Sequence, residues 1–125
     1  MPLVRIALPR HRAQQSATVG DCVHRAMVEA IAVPAQDRFQ VVTEHPPTEL
    51  IYDPSYLGIE RSKDFLAIQI TLNAGRSVDQ KRALYARIAD LLAQEAGFRK
   101  EDVMISLVEV PKENWSFGNG IAQYA

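Results

Sequence analysis

A chain of 125 residues, 47% hydrophobic and 23% charged with a net charge of −1, has the composition of one globular domain with a sizeable core. That balance excludes the basic excess of a nucleic-acid binder, and no Lys/Arg run or long apolar run points to a membrane. A single cysteine, Cys22, excludes an internal disulfide and a thiolate metal site. With no signal-peptide pattern before Pro9-Arg10-His11-Arg12, the expected location is cytoplasmic.

The chain opens Met1-Pro2, and residues 3–8 (Leu-Val-Arg-Ile-Ala-Leu) predict a strand ended by Pro9. From Ser16 the apolar residues Val19, Val23, Ala26, Met27, Ala30 and Ile31 form the stripe of an amphipathic helix that stops near Val33-Pro34. Gly20 lies inside it at a cost of about 1 kcal/mol relative to alanine. Residues 37–43 predict a second strand. The stretch from His45 to Asp64, broken by Pro46, Pro47, Pro54 and Gly58, reads as an extended connection. A third strand is expected over residues 65–72. Ser77 and Gln80 then have capping-box spacing, and Leu84, Ile88, Leu91 and Leu92 give the face of a second helix that Gly97 would end. Residues 103–110 predict a fourth strand closed by Pro111. The tail, with its aromatic and glycine residues, suggests a docking hairpin.

The order is therefore β-α-β twice, over about residues 2–44 and 65–110, with a tail over 111–125. The expected fold is a single α+β domain. Right-handed crossovers make the strands of each unit parallel. Both helices then cover one face of a four-stranded sheet and leave the other bare, so self-association is expected.

Chemistry concentrates at few positions. His11, His24 and His45 lack metal-ligand spacing, and no phosphate-binding glycine motif has the strand and helix it needs, so neither metal nor cofactor is expected. If Met1 is removed, Pro2 offers a secondary amine at a strand end, able to exchange a proton or attack a carbonyl. Apolar surroundings would keep that amine neutral and basic; a carboxylate beside it would keep it charged and acidic. Asp37, at the head of the second strand, is the candidate carboxylate, with a plain loop residue or a partner for Arg38 as the ordinary alternatives. Arg76 precedes a helix N-terminus beside the amides of Ser77 and Val78, a combination suited to a carboxylate, although a solvated loop arginine would look the same. Trp115 and Phe117 could wall a pocket or fill a subunit contact. Arg61 reads as an exposed loop charge, His45 as a hydrogen-bonded loop histidine, and Cys22 as a small buried hydrophobe.

Pro2-Leu3, the run Val33-Pro34-Ala35-Gln36-Asp37-Arg38-Phe39-Gln40, Ala74-Gly75-Arg76 and Trp115-Ser116-Phe117-Gly118 together resemble the tautomerase superfamily. The similarity is greatest to its malonate semialdehyde decarboxylase branch and covers nearly the whole chain. The resemblance implies a homotrimer without cofactor, acting on a small carboxylate-bearing oxo acid. It assigns Pro2 as the catalytic proline, Asp37 as its acidic partner and Arg76 as a substrate-binding arginine. One style in this branch carries two arginines before the second helix; here Asn73 stands three residues ahead of Arg76, a hydrogen-bonding group without charge. The expected activity is decarboxylation of a 3-oxo acid such as malonate semialdehyde, with a hydratase-like side activity. Keto–enol tautomerisation of a 2-oxo acid such as phenylpyruvate is the alternative, and a non-catalytic oligomeric module that binds a small acid is a third reading.

Overall fold

The apolar stripe that predicts the first helix is the one the fold buries. In the computed structural model, which describes residues 1–125, α1 spans Ser16–Ile31 and buries Val19, Cys22, Val23, Ala26, Met27 and Ile31. A 3-10 stretch, Arg10–Gln15, kinked at Arg12, leads into it, and Ala32 ends it in the left-handed conformation at φ 58°. α2 spans Val78–Ala96 and starts on the expected capping box: Ser77 Oγ accepts from the Gln80 amide while Gln80 Oε1 accepts from the Ser77 amide. It stops at Gly97, whose φ of 69° costs little without a Cβ. Neither helix is long and apolar enough to cross a membrane.

The strands are β1 (Leu3–Pro9), β2 (Phe39–His45), β3 (Leu66–Asn73) and β4 (Val103–Val110), in the sheet order β2-β1-β3-β4. β1 and β2 are parallel with Leu3 opposite Phe39, and β3 and β4 are parallel with Leu66 opposite Val103. The two units join through an antiparallel β1–β3 pair in which Leu3 faces Thr71. Val4, Ile6 and Leu8 from β1 and Leu66, Ile68, Ile70 and Leu72 from β3 point to the helices and form one core with them. Burial of each such side chain contributes about 1.5–3 kcal/mol. The opposite face stays open and leaves Phe39, Val41, Met104 and Val108 exposed.

Three local expectations change. β2 begins at Phe39, because Asp37 is held in a turn in which its amide donates to Pro34 O at 3.0 Å. The tail forms no hairpin: no strand follows β4, and the Phe117 amide and Gly118 carbonyl bond the Gln123 side chain where a hairpin would pair backbone with backbone. Arg61 is no loose surface charge, since its Nη1 donates to the carbonyls of Asp53, Tyr56 and Ile59 and pins the connection between β2 and β3.

The end of that connection is fastened by Asp102, which is fully buried and accepts from both the amide and the hydroxyl of Ser62 at 2.6 Å. Asp102→Ala strands the Ser62 amide and is expected to lower stability by about 1–3 kcal/mol in chemical denaturation. Ser62→Ala, which keeps the amide bond, should cost less.

Candidate active site

The topology gathers one set of side chains at one end of the sheet. β1 and β2 start there; β3, antiparallel to β1, finishes there; β4 ends alongside it, with Val110 opposite Asn73. Pro2 and Asp37 lie just ahead of the starting strands, while Asn73, Arg76 and the tail lie at and beyond the finishing ones.

The parallel register begins at Leu3 opposite Phe39, so the residues just ahead of each strand, Pro2 and Asp37 among them, emerge at the same end. Pro2 is buried. The terminal amine, here on Met1, is 3.8 Å from Asp37 Oδ2. Asp37 is only 7% exposed, and its Oδ1 has no hydrogen-bond partner within the chain. A buried carboxylate with spare acceptor capacity attracts a cation or a donor strongly, because little water competes. Arg38 does not meet that demand: it pairs with Asp21 at 2.7 Å and also donates to Gln40.

Across the end of the sheet, half-buried Arg76 donates only to Asn73 O, at 3.3 Å, and enters none of the chain's ion pairs. The acid nearest in charge terms is already taken. Lys81 bonds Glu109 at 2.8 Å and holds that carboxyl below its usual range, against the upward pull of burial, with Arg76 adding a smaller pull. The Ser77 amide, expected to assist Arg76, is occupied by Gln80 Oε1 in the capping box. Asn73 is oriented by the tail instead. The Trp115 indole N–H donates to its Oδ1 at 2.8 Å, which leaves the Asn73 NH2 as the group free to donate.

The aromatic residues form a chain. Trp115 stacks on Phe117 with centroids 5.4 Å apart, and Phe117 meets Phe39 at 6.1 Å and Tyr124 edge-on at 5.3 Å. Phe39 and Tyr124 had not stood out in the sequence as wall residues. Their only signal was a large aromatic next to Asp37 and another at the tail's end.

Other candidates lie apart from this end. A cavity of about 670 Å³ sits at the opposite end of β1 and β2, lined by Pro9, His45, Pro46, Tyr52 and Phe65 among others. His45 there bonds Thr43 Oγ1 at 2.8 Å, as a loop-end histidine would. Cys22 is buried, and burial pushes its thiol pKa up, away from nucleophilic chemistry. No group of three or more His, Cys, Asp or Glu side chains could hold a metal ion.

Two β-α-β units around one four-stranded sheet, opened by a buried proline, define an enzyme of the tautomerase type. The chain belongs to the tautomerase family: one family model described as "Tautomerase enzyme" matches residues 37–118 and another with the same description matches residues 2–58. It is 43% identical to the probable tautomerase YusQ of Bacillus subtilis (strain 168), over 98% of both chains. The crystal structure of FG41 malonate semialdehyde decarboxylase inhibited by 3-bromopropiolate has a TM-score of 0.91 and 40% identity, covering 98% of this chain and 93% of that one. A malonate semialdehyde decarboxylase studied for its decarboxylase and hydratase activities has a TM-score of 0.89 and 34% identity, covering 98% and 95%.

The Asn73–Trp115 bond is the polar link between tail and sheet at this end. Asn73→Ala is expected to shift the emission of Trp115, the only tryptophan, to the red and to speed amide exchange over residues 115–124. Unchanged emission and exchange would show the aromatic contacts alone hold the tail.

Proposed function

We propose that the chain is a decarboxylase of small 3-oxo acids, malonate semialdehyde being the reference substrate, and that Pro2 is its reactive group once Met1 is removed. The observation that carries this reading is the buried Asp37 carboxylate facing the terminal amine, at the same end of the sheet as an arginine without an acid partner. Similarity to two malonate semialdehyde decarboxylases at 40% and 34% identity supports it.

The steps follow from the charges. Arg76 and the Asn73 NH2 hold the substrate carboxylate and turn it so that the breaking C–C bond lies parallel to the carbonyl π system. Asp37 keeps the neighbouring Pro2 amine protonated, and that ammonium donates to the substrate's carbonyl oxygen. As CO2 departs, the electron pair of the broken bond passes into the carbonyl as an enolate stabilised by Pro2. Protonation at carbon then releases acetaldehyde. Phe39, Phe117 and Trp115 keep water from the enolate, which strengthens every charge interaction in the site. With an unsaturated acid in place, Asp37 could instead activate a water for addition.

One observation favours a second reading. Asn73 brings no charge, so the site has a single arginine; with Pro2 buried and neutral it would shuttle a proton between carbon and oxygen of a 2-oxo acid. The open sheet face, with Phe39, Val41, Met104 and Val108 exposed, supports assembly with further copies, and a homotrimer is the state we propose.

Mass spectrometry of the intact chain is expected to show Met1 absent; its retention would leave Pro2 without a free amine and favour a binding module. The purified protein should turn over malonate semialdehyde faster than it ketonises enol-phenylpyruvate. Pro2→Ala should cost about 10²–10⁴-fold in kcat, and Arg76→Ala should act mainly on KM. Unchanged rates in both variants would overturn the assignment. Light scattering should give three times the chain mass.

A further inference from the structure

One face of α1 is fastened to the short segment that contains Asp37, from both sides of it. On the far side, Gln40 Nε2 donates to Gly20 O at 2.8 Å, and Arg38 donates to Asp21 Oδ1 at 2.7 Å and to Gln40 Oε1. A Cβ on residue 20 would lie 2.8 Å from Gln40 Oε1, so any larger residue there would push the Gln40 side chain aside. On the near side, one helical turn along, His24 Nε2 is 2.7 Å from Ala35 O. A carbonyl only accepts, so Nε2 carries the proton and donates.

His24 is out of place by the rules of the core. It is 8% exposed among the buried apolar residues Val23, Ala26 and Met27, and its Nδ1 is buried without a partner. An apolar side chain of similar size would avoid that unmatched nitrogen. Nor does Ala35 need the bond, because Ala35 is exposed and its carbonyl could be hydrated. What the bond does is fix where the turn sits. Ala35 lies inside the turn closed by Asp37 N–H donating to Pro34 O, so a displaced Ala35 carries Asp37 with it.

We propose that His24 is a positioning residue for the reaction, locking the Pro34–Asp37 turn onto α1 so that the Asp37 carboxylate meets the terminal amine. This rests on the reading of Asp37 as the partner of Pro2. A misplacement of about 1 Å at a reacting group can cost on the order of 10²-fold in rate. The carboxylate grip of Arg76 and Asn73 belongs to the other β-α-β unit, so binding should be spared.

The test compares His24→Leu with His24→Gln, whose amide N–H can stand in for Nε2–H, each alone and combined with Asp37→Asn. Decarboxylation of malonate semialdehyde and thermal unfolding are measured on the purified full-length protein. His24→Leu is expected to lower kcat about 10–100-fold with KM within about twofold and no loss of thermal stability. His24→Gln should recover most of kcat, and His24→Leu should lower kcat no further in the Asp37→Asn background. Amide shifts of residues 35–38 should move in the leucine variant and return in the glutamine one; if the leucine variant does not fold, His24→Met, which also lacks a donor, takes its place in every comparison. Unchanged kcat in His24→Leu, or a loss that adds fully to that of Asp37→Asn, overturns the positioning role while leaving Asp37 in place. Unchanged kcat in Asp37→Asn alone overturns the underlying site reading and the inference with it.

Discussion

The antiparallel pairing of β1 with β3 is the contact on which the candidate site depends. Each β-α-β unit is internally parallel, and each carries only half of the candidate residues: the first holds Pro2 and Asp37, the second Asn73 and Arg76. Because Leu3 faces Thr71, the start of the first unit lies beside the finish of the second. A parallel join would move Arg76 to the other end of the sheet, roughly 25 Å away for an eight-residue strand. Burial holds this register. Val4 and Ile6 share the helix face with Ile70 and Ile68, their partners across the ladder, and a slip of one residue would turn those side chains to the open face.

The distribution of charge at that end follows a consistent rule. Arg38 goes to Asp21 and Lys81 to Glu109, so the cations that could have neutralised the site are committed elsewhere. Arg76 is left without an acid, and Asp37 keeps an acceptor oxygen without a donor. The two lie on different strand ends, one cationic and one anionic. A small acid bearing a second polar group would complement both ends at once, its carboxylate toward Arg76 and its reacting carbon toward the amine beside Asp37. The aromatic chain from Trp115 through Phe117 to Phe39 runs between tail and β2, where the proposed site would need a low-dielectric wall.

Most of the framework was legible in the sequence because it is written in local rules. The stripe from Val19 to Ile31, the Ser77–Gln80 box and Gly97 each act within a few residues, and the parallel pairing inside each unit follows from crossover handedness. Periodicity carries no information on which strands of different units become neighbours, so the β1–β3 join was not readable. Asp37 was expected in a strand because the apolar run after it is extended; the Pro34 carbonyl accepting its amide keeps it in a turn. Arg61 looked like surface charge because its three acceptors are backbone carbonyls, which have no sequence signature. The aromatic residues and glycines of the tail suggested that it docks, but the bond from Trp115 to Asn73 spans 42 positions and has no local signature.

Local rules also fail in an informative pattern. Gly20 weakens a helix that otherwise follows its propensities, and His24 leaves a nitrogen unmatched on the buried side of that helix. Random imperfection would scatter such exceptions over the core. These two stand one helical turn apart on the same face of α1, and both meet the segment from Ala35 to Gln40 that contains Asp37. Neither makes the helix more stable; each brings the helix closer to, or binds it to, that segment. Where sequence and fold disagree locally, a functional constraint is the usual reason. Here both exceptions bond the stretch on either side of Asp37, so the placement of that stretch, together with Pro2, would set the geometry that the proposed site needs.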